Sequence, residues 1–169
     1  MFGFSVISRS IHGNFKVYHH TDKVYSISVH SGYAASSSSD KTFQYWNLKT
    51  EELVFKKTFS GTVSRVKLTD DYLISSGYDG TVRFFSRTSG EELHRLDHSN
   101  DCNWFDHNKT GKLLAVAGDN FVVIWKVNGF EKLKTFEFNT FVMRVDFNDI
   151  GNKIIVGLHD GNIHLIGLE

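Results

Sequence analysis

Four aspartates, Asp40, Asp79, Asp119 and Asp160, recur along the chain at steps of 39, 40 and 41 residues. Each is followed six positions later by a large apolar residue, Trp46, Phe85, Trp125 or Ile166. Few folds tolerate such a period. A spacing near 40 residues marks a stacked repeat, in which each unit is a small sheet that cannot bury its faces alone and is covered by its neighbours.

Alternation and turn residues place the strands inside each unit. Runs at 24–29, 63–68, 102–106 and 142–147 read as first strands, each ending in a polar turn. A second strand then enters the aspartate turn. Asp79-Gly80 and Asp160-Gly161 are hairpin signals, because a primed two-residue turn needs positive φ; Asp119-Asn120 tolerates the same geometry, and Asp40-Lys41 is a weaker version. Third strands follow at 42–46, 81–85, 121–125 and 162–166, and fourth strands at 53–59, 92–96 and 132–138. The expected fold class is all-β, with four antiparallel strands per unit, which is the blade of a β-propeller.

Composition fits a domain of this class and excludes others. With 40% hydrophobic residues and 15 phenylalanines, the 169-residue chain can bury a sizeable core as one domain, 1–169. Nineteen basic and nineteen acidic residues cancel, so no overall field draws nucleic acid or an anionic membrane. The single Cys102 allows no intrachain disulfide, and the N-terminal sequence lacks the basic and apolar regions of a signal peptide. A cytoplasmic or nuclear protein is therefore expected.

The residues around the first aspartate carry a family resemblance. HHTDKVYSISV followed by SSSSDKTFQYWN resembles a WD repeat, with His20 at the family's histidine, Asp40 in the hairpin and Trp46 as its tryptophan. The resemblance implies a buried hydrogen-bonded set of those three with a second-strand hydroxyl, Ser36 or Ser38. Unit three is similar through His98, Asp119 and Trp125, although Ala115 and Ala117 leave it without the hydroxyl. Units two and four carry Phe59 and Phe138 at the histidine position, and Phe85 and Ile166 at the tryptophan position. Losing both polar partners together can be close to neutral, whereas losing one costs roughly 1 to 3 kcal/mol. An apolar contact is expected there, with Asp79 and Asp160 serving the turn backbone.

Blades are expected at about 23–59, 62–97, 101–138 and 141–169, with 14–18 as a strand of a preceding or closing blade. Closed propellers have roughly four to eight blades, and a four-bladed ring would turn through about 90 degrees at each blade. An incomplete or half ring is expected. Three readings stand: a fragment of a longer propeller, a half-ring completed by self-association or another chain, and an unusual four-bladed closure.

No phosphate loop, HExxH, CxxC or GxSxG is present. Neither a catalytic residue, a metal site nor a cofactor is expected, and Cys102 stands where other units have valine, as a small buried hydrophobe. The resemblance implies a non-enzymatic scaffold that binds other proteins; the alternatives are a truncated fragment without independent function and an enzyme using the propeller mouth. In the resembling family one rim, beside the first-strand start and the turn aspartate, is a frequent contact site. Carried over, it places Tyr25, Tyr78, Phe141, Met143 and His159 on a protein-binding rim, where aromatic and methionine side chains are enriched at hot spots.

Overall fold

The computed structural model describes residues 18–98 and 100–168. The described residues form strands and no helix. The first sheet is β1 (Val24–His30), β2 (Tyr33–Ser38), β3 (Thr42–Asn47) and β4 (Glu52–Thr58), paired antiparallel in chain order. The second is β5 (Val63–Leu68), β6 (Tyr72–Gly77), β7 (Thr81–Ser86) and β8 (Glu92–Asp97). The third is β9 (Cys102–His107), β10 (Leu113–Gly118), β11 (Phe121–Lys126) and β12 (Glu131–Glu137). The fourth has three strands, β13 (Val142–Phe147), β14 (Lys153–Leu158) and β15 (Ile163–Gly167). These bounds lie within a residue of the strands read from alternation.

Local chemistry explains the hairpins. Gly80 and Gly161 take φ of 74° and 89°, the left-handed region where a Cβ is penalised, and Lys41 holds φ 66° in the first unit without that freedom. The third hairpin differs from expectation. Neither Asp119 nor Asn120 has positive φ, and the loop is one residue shorter, since Ala117 pairs Val122 where Ser37 pairs Phe43.

Three apolar clusters hold neighbouring sheets face to face. Phe43 and Tyr45 meet Val63, Val66 and Phe85 in the first; Val82 and Phe84 meet Phe105, Leu114 and Val116 in the second; Val122 and Ile124 meet Val145, Ile154 and Val156 in the third. The second and third sheets are thus apolar on both faces, as a stacked repeat requires. The four sheets form an open arc: the outward faces of the first and last remain exposed, so a four-bladed closure is not what this chain adopts. The strand expected over 14–18 lies outside the described residues except for Tyr18, which is in no strand and packs its ring on Trp46 at 4.1 Å.

Candidate functional site

In the first unit the polar residues converge. Asp40 Oδ2 accepts hydrogen bonds from the Thr21 N–H at 3.0 Å and from His20 Nδ1 at 3.0 Å, and Oδ1 accepts from the Thr42 N–H at 3.0 Å and its hydroxyl at 2.6 Å. With the His20 proton on Nδ1, Nε2 accepts from the Ser36 hydroxyl at 2.8 Å. Ser38 accepts from the Asp40 N–H and donates to the Asp22 carbonyl. Burial disfavours the Asp40 charge, yet the bonds from Thr42, Thr21 and His20 outweigh it and hold the carboxyl well below the usual carboxylate range. Trp46 differs from expectation: among the described residues it makes no hydrogen bond to this set and is covered by Tyr18.

The other units solve the same position differently. Asp79, expected to serve mainly the turn backbone, also forms a largely buried ion pair with Arg83 at 2.9 Å and accepts from the Thr81 hydroxyl at 2.7 Å. Arg83 lies 4.9 Å over the Phe59 ring, which contacts Phe85 edge-on at 6.1 Å. A guanidinium between an aromatic face and a carboxylate replaces the histidine. The missed signal was an arginine four residues after the aspartate. In unit three the expected set does not form. His98 stacks on Phe121 and meets Trp125 edge-on at 5.7 Å, while His98 Nε2 and Trp125 Nε1 are buried without a partner among the described residues. The register puts Val116, which has no hydroxyl, at the place of Ser36, while Ala115 and Ala117 face the fourth sheet, and the Asp119 carbonyl accepts from the Val142 N–H at 2.7 Å. Asp160 caps its own turn through Asn162, and Phe138 and Ile166 pack on the third cluster.

The rim residues gather at one end of the sheets. Backbone bonds of 2.9 Å from Ser39 to Lys23, Tyr78 to Thr62 and His159 to Phe141 tie the aspartate turns of units one, two and four to the start of their own first strands. A register shift then follows in β1, β5, β9 and β13. Such a bulge re-aims its extra residue. At Tyr25 and Met143 the side chain emerges, 48% and 51% exposed; Tyr78 and Phe141 are 41% and 39% exposed, and His159 is exposed. Tyr25 and Tyr78 touch edge-on at 6.4 Å across the first two sheets. Burial, Tyr25 and the carboxylates of Asp101 and Asp119 push the Tyr78 hydroxyl up. Two equivalent positions leave the rim: Ser64 is buried and donates to the Cys102 carbonyl at 2.6 Å, and Phe121 fills the space a Cβ at Gly118 would take. Cys102 is fully buried, and burial with Asp79, Asp101 and Asp119 raises its thiol far above the reactive range.

Sequence reading missed a stack on the innermost strands. Arg65 and Arg144 cover the Trp104 ring at 3.4 and 3.9 Å. Burial pulls Arg65 down to about 10, against the attraction of Asp106 and Asp146. The signal lay in the register, which puts Ser26, Arg65, Trp104 and Arg144 at one position of successive units. At the opposite rim a groove of about 800 Å³ between the second and third sheets is lined by Tyr72, Phe84, Phe130, His94 and His107. Among the described residues no three His, Cys, Asp or Glu side chains are placed to hold a metal ion.

The profile of the WD domain, G-beta repeat, matches residues 13–47, 54–86 and 90–126, more than half of the chain. The chain belongs to the WD-repeat family. An 87-residue stretch, 50% of the chain, is 30% identical to eukaryotic translation initiation factor 3 subunit I of Neurospora crassa and spans 25% of that protein. Among solved structures, the computationally designed Ika4 protein superposes with a TM-score of 0.82 at 19% identity, over 91% of this chain and 96% of its own. The designed Ika8 protein gives 0.79 at 20% identity, over 88% of this chain but only 46% of Ika8. These likenesses establish the fold. WD-repeat domains generally work by binding other proteins and are not catalytic.

Proposed function

We propose that the chain is a non-catalytic scaffold that binds partner proteins through the rim carrying Tyr25, Tyr78, Phe141, Met143 and His159. The supporting observation is the repeated bulge, which lifts large side chains out of rigid strands at one end of the sheets. Rigid aromatic side chains lose little entropy on binding and anchor hot spots. Asp101 beside this cluster has its carboxyl raised by burial and by Asp119 and Asp79, so the rim concentrates negative potential. A partner segment pairing an apolar anchor with lysine or arginine fits it. The likeness to a translation initiation factor subunit favours membership of a multiprotein assembly, and favours the cytoplasm over the nucleus.

Tyr78→Ala combined with Phe141→Ala is expected to abolish partner capture in a pull-down from cell extract. Each hot-spot truncation removes at least about 2 kcal/mol of binding, roughly 30-fold in affinity. Folding should change little, because both side chains are substantially exposed. A normally folded double variant that retains every partner would move the contact surface elsewhere.

A further inference from the structure

The exposed faces at the two ends of the arc are the two halves of an inter-sheet contact that the chain already makes three times. In every interior contact the C-terminal face of one sheet presents residues of its second and third strands: Ala35, Phe43 and Tyr45, then Ile74, Val82 and Phe84, then Ala115, Val122 and Ile124. All nine are buried. Strand pairing assigns the same positions in the fourth sheet to Ile155, Ile163 and Leu165, which are 46%, 76% and 63% exposed.

The receiving face is exposed as well. In the second sheet it is built from Val63, Val66 and Leu68 of the first strand. The corresponding Val24, Ile27 and Val29 of the first sheet are 50%, 68% and 64% exposed, although their equivalents are at most 5% exposed. A polar contact recurs with the apolar one. The Ser28 hydroxyl accepts from the Leu68 N–H at 2.9 Å, and Asp106 accepts from the Phe147 N–H at 3.2 Å. The same register position in the fourth sheet is Asp146, exposed and without a hydrogen bond among the described residues. Its counterpart donor is the N–H of Val29.

We propose that two copies of this chain close one propeller, the fourth sheet of each docking on the first sheet of the other. Ile155, Ile163 and Leu165 pack on Val24, Ile27 and Val29 of the second copy, and Asp146 accepts from the Val29 N–H. The two contacts are equivalent by a two-fold axis, and a head-to-tail contact whose rotation closes gives a ring instead of a filament. Once one contact forms, the other is intramolecular, so the pair closes cooperatively. The curvature agrees: the sheets superpose on 46% of the designed Ika8 propeller chain with a TM-score of 0.79, so their arc follows about half of such a ring.

The full chain, sized by light scattering on a column, should run at twice 19.3 kDa. Ile163→Asp with Leu165→Asp should give a folded monomer, and so should Ile27→Asp, because each change spoils both contacts of a homodimer. An equimolar mixture of the two variants should dimerise again, since one pairing keeps both faces native. Asp146→Ala, outside the apolar clusters, should weaken the dimer at least about tenfold and serves where an aspartate variant does not fold. A folded wild-type monomer, a filament of undefined length, a mixture that stays monomeric, or an Asp146→Ala dimer of unchanged affinity would each overturn the proposal.

Discussion

Asp40→Ala is expected to destabilise the chain by about 2 to 4 kcal/mol, and Asp160→Ala by less than about 1 kcal/mol. Both aspartates occupy the same hairpin position, so the turn itself cannot make the difference. Asp40 accepts from two backbone N–H groups, a hydroxyl and a histidine, at side-chain exposures of 5% for Asp40 and 4% for His20. Its removal leaves the Thr21 and Thr42 N–H groups, His20 and through it Ser36 without their partners in a site water scarcely reaches. Unsatisfied buried donors, more than the lost bonds, set the magnitude. Asp160 is exposed and, among the described residues, bonds only Asn162, which water can solvate. Urea melts at fixed protein concentration, which holds any self-association constant, measure both losses. Equal shifts of the midpoint would show that the His20 network contributes nothing beyond the turn.

The period of the aspartates and the alternation between them were enough to locate nearly every strand, because strand pairing and face burial are imposed by every unit on the next. The polar sites were less legible. A motif position such as the aspartate says which group needs a partner and leaves open which neighbour supplies it. In unit one the partner is the histidine twenty residues earlier in the chain; in unit two it is Arg83, reaching from the adjoining strand. The shorter third hairpin shifts Ala115 and Ala117 by one residue relative to Asp119, and a shift of one along a strand reverses the face. That slip disconnects Asp119 from His98, and aspartate spacing counted in whole units does not reveal it. Aligned positions in the sequence place Tyr25, Ser64 and Met143 alike, but the bulge that buries Ser64 while exposing Tyr25 and Met143 is a property of the paired strands. The Trp104 stack was visible only by aligning inner strands, since its three members lie on three different sheets.

Acidification should weaken the fold between about pH 6.5 and 4 through His98, and His98→Phe should remove most of that loss. Burial, helped by Lys132 and opposed by Asp97, brings His98 down to about 4. Its ring lies against Phe121 and Trp125 with Nε2 unpartnered among the described residues, so a second proton meets no acceptor there. In the unfolded chain an ordinary histidine titrates near 6.5. Between those values the unfolded state binds a proton that the folded state does not, and stability therefore falls as pH falls, reaching its full loss below about 4. Each pKa unit is worth about 1.36 kcal/mol, which makes the total on the order of 3 kcal/mol. His107 is also lowered, by burial and Lys67, and adds a smaller loss of the same sign. Phenylalanine is the test residue because Phe59 and Phe138 already fill this place in units two and four, so it retains the aromatic packing while removing the proton site. Urea midpoints at pH 7 and pH 4.5 should differ much less for His98→Phe than for the unaltered chain. Parallel losses in the two proteins would mean that His98 takes its proton in the folded state at an ordinary pH, and that its buried nitrogen has an acceptor after all.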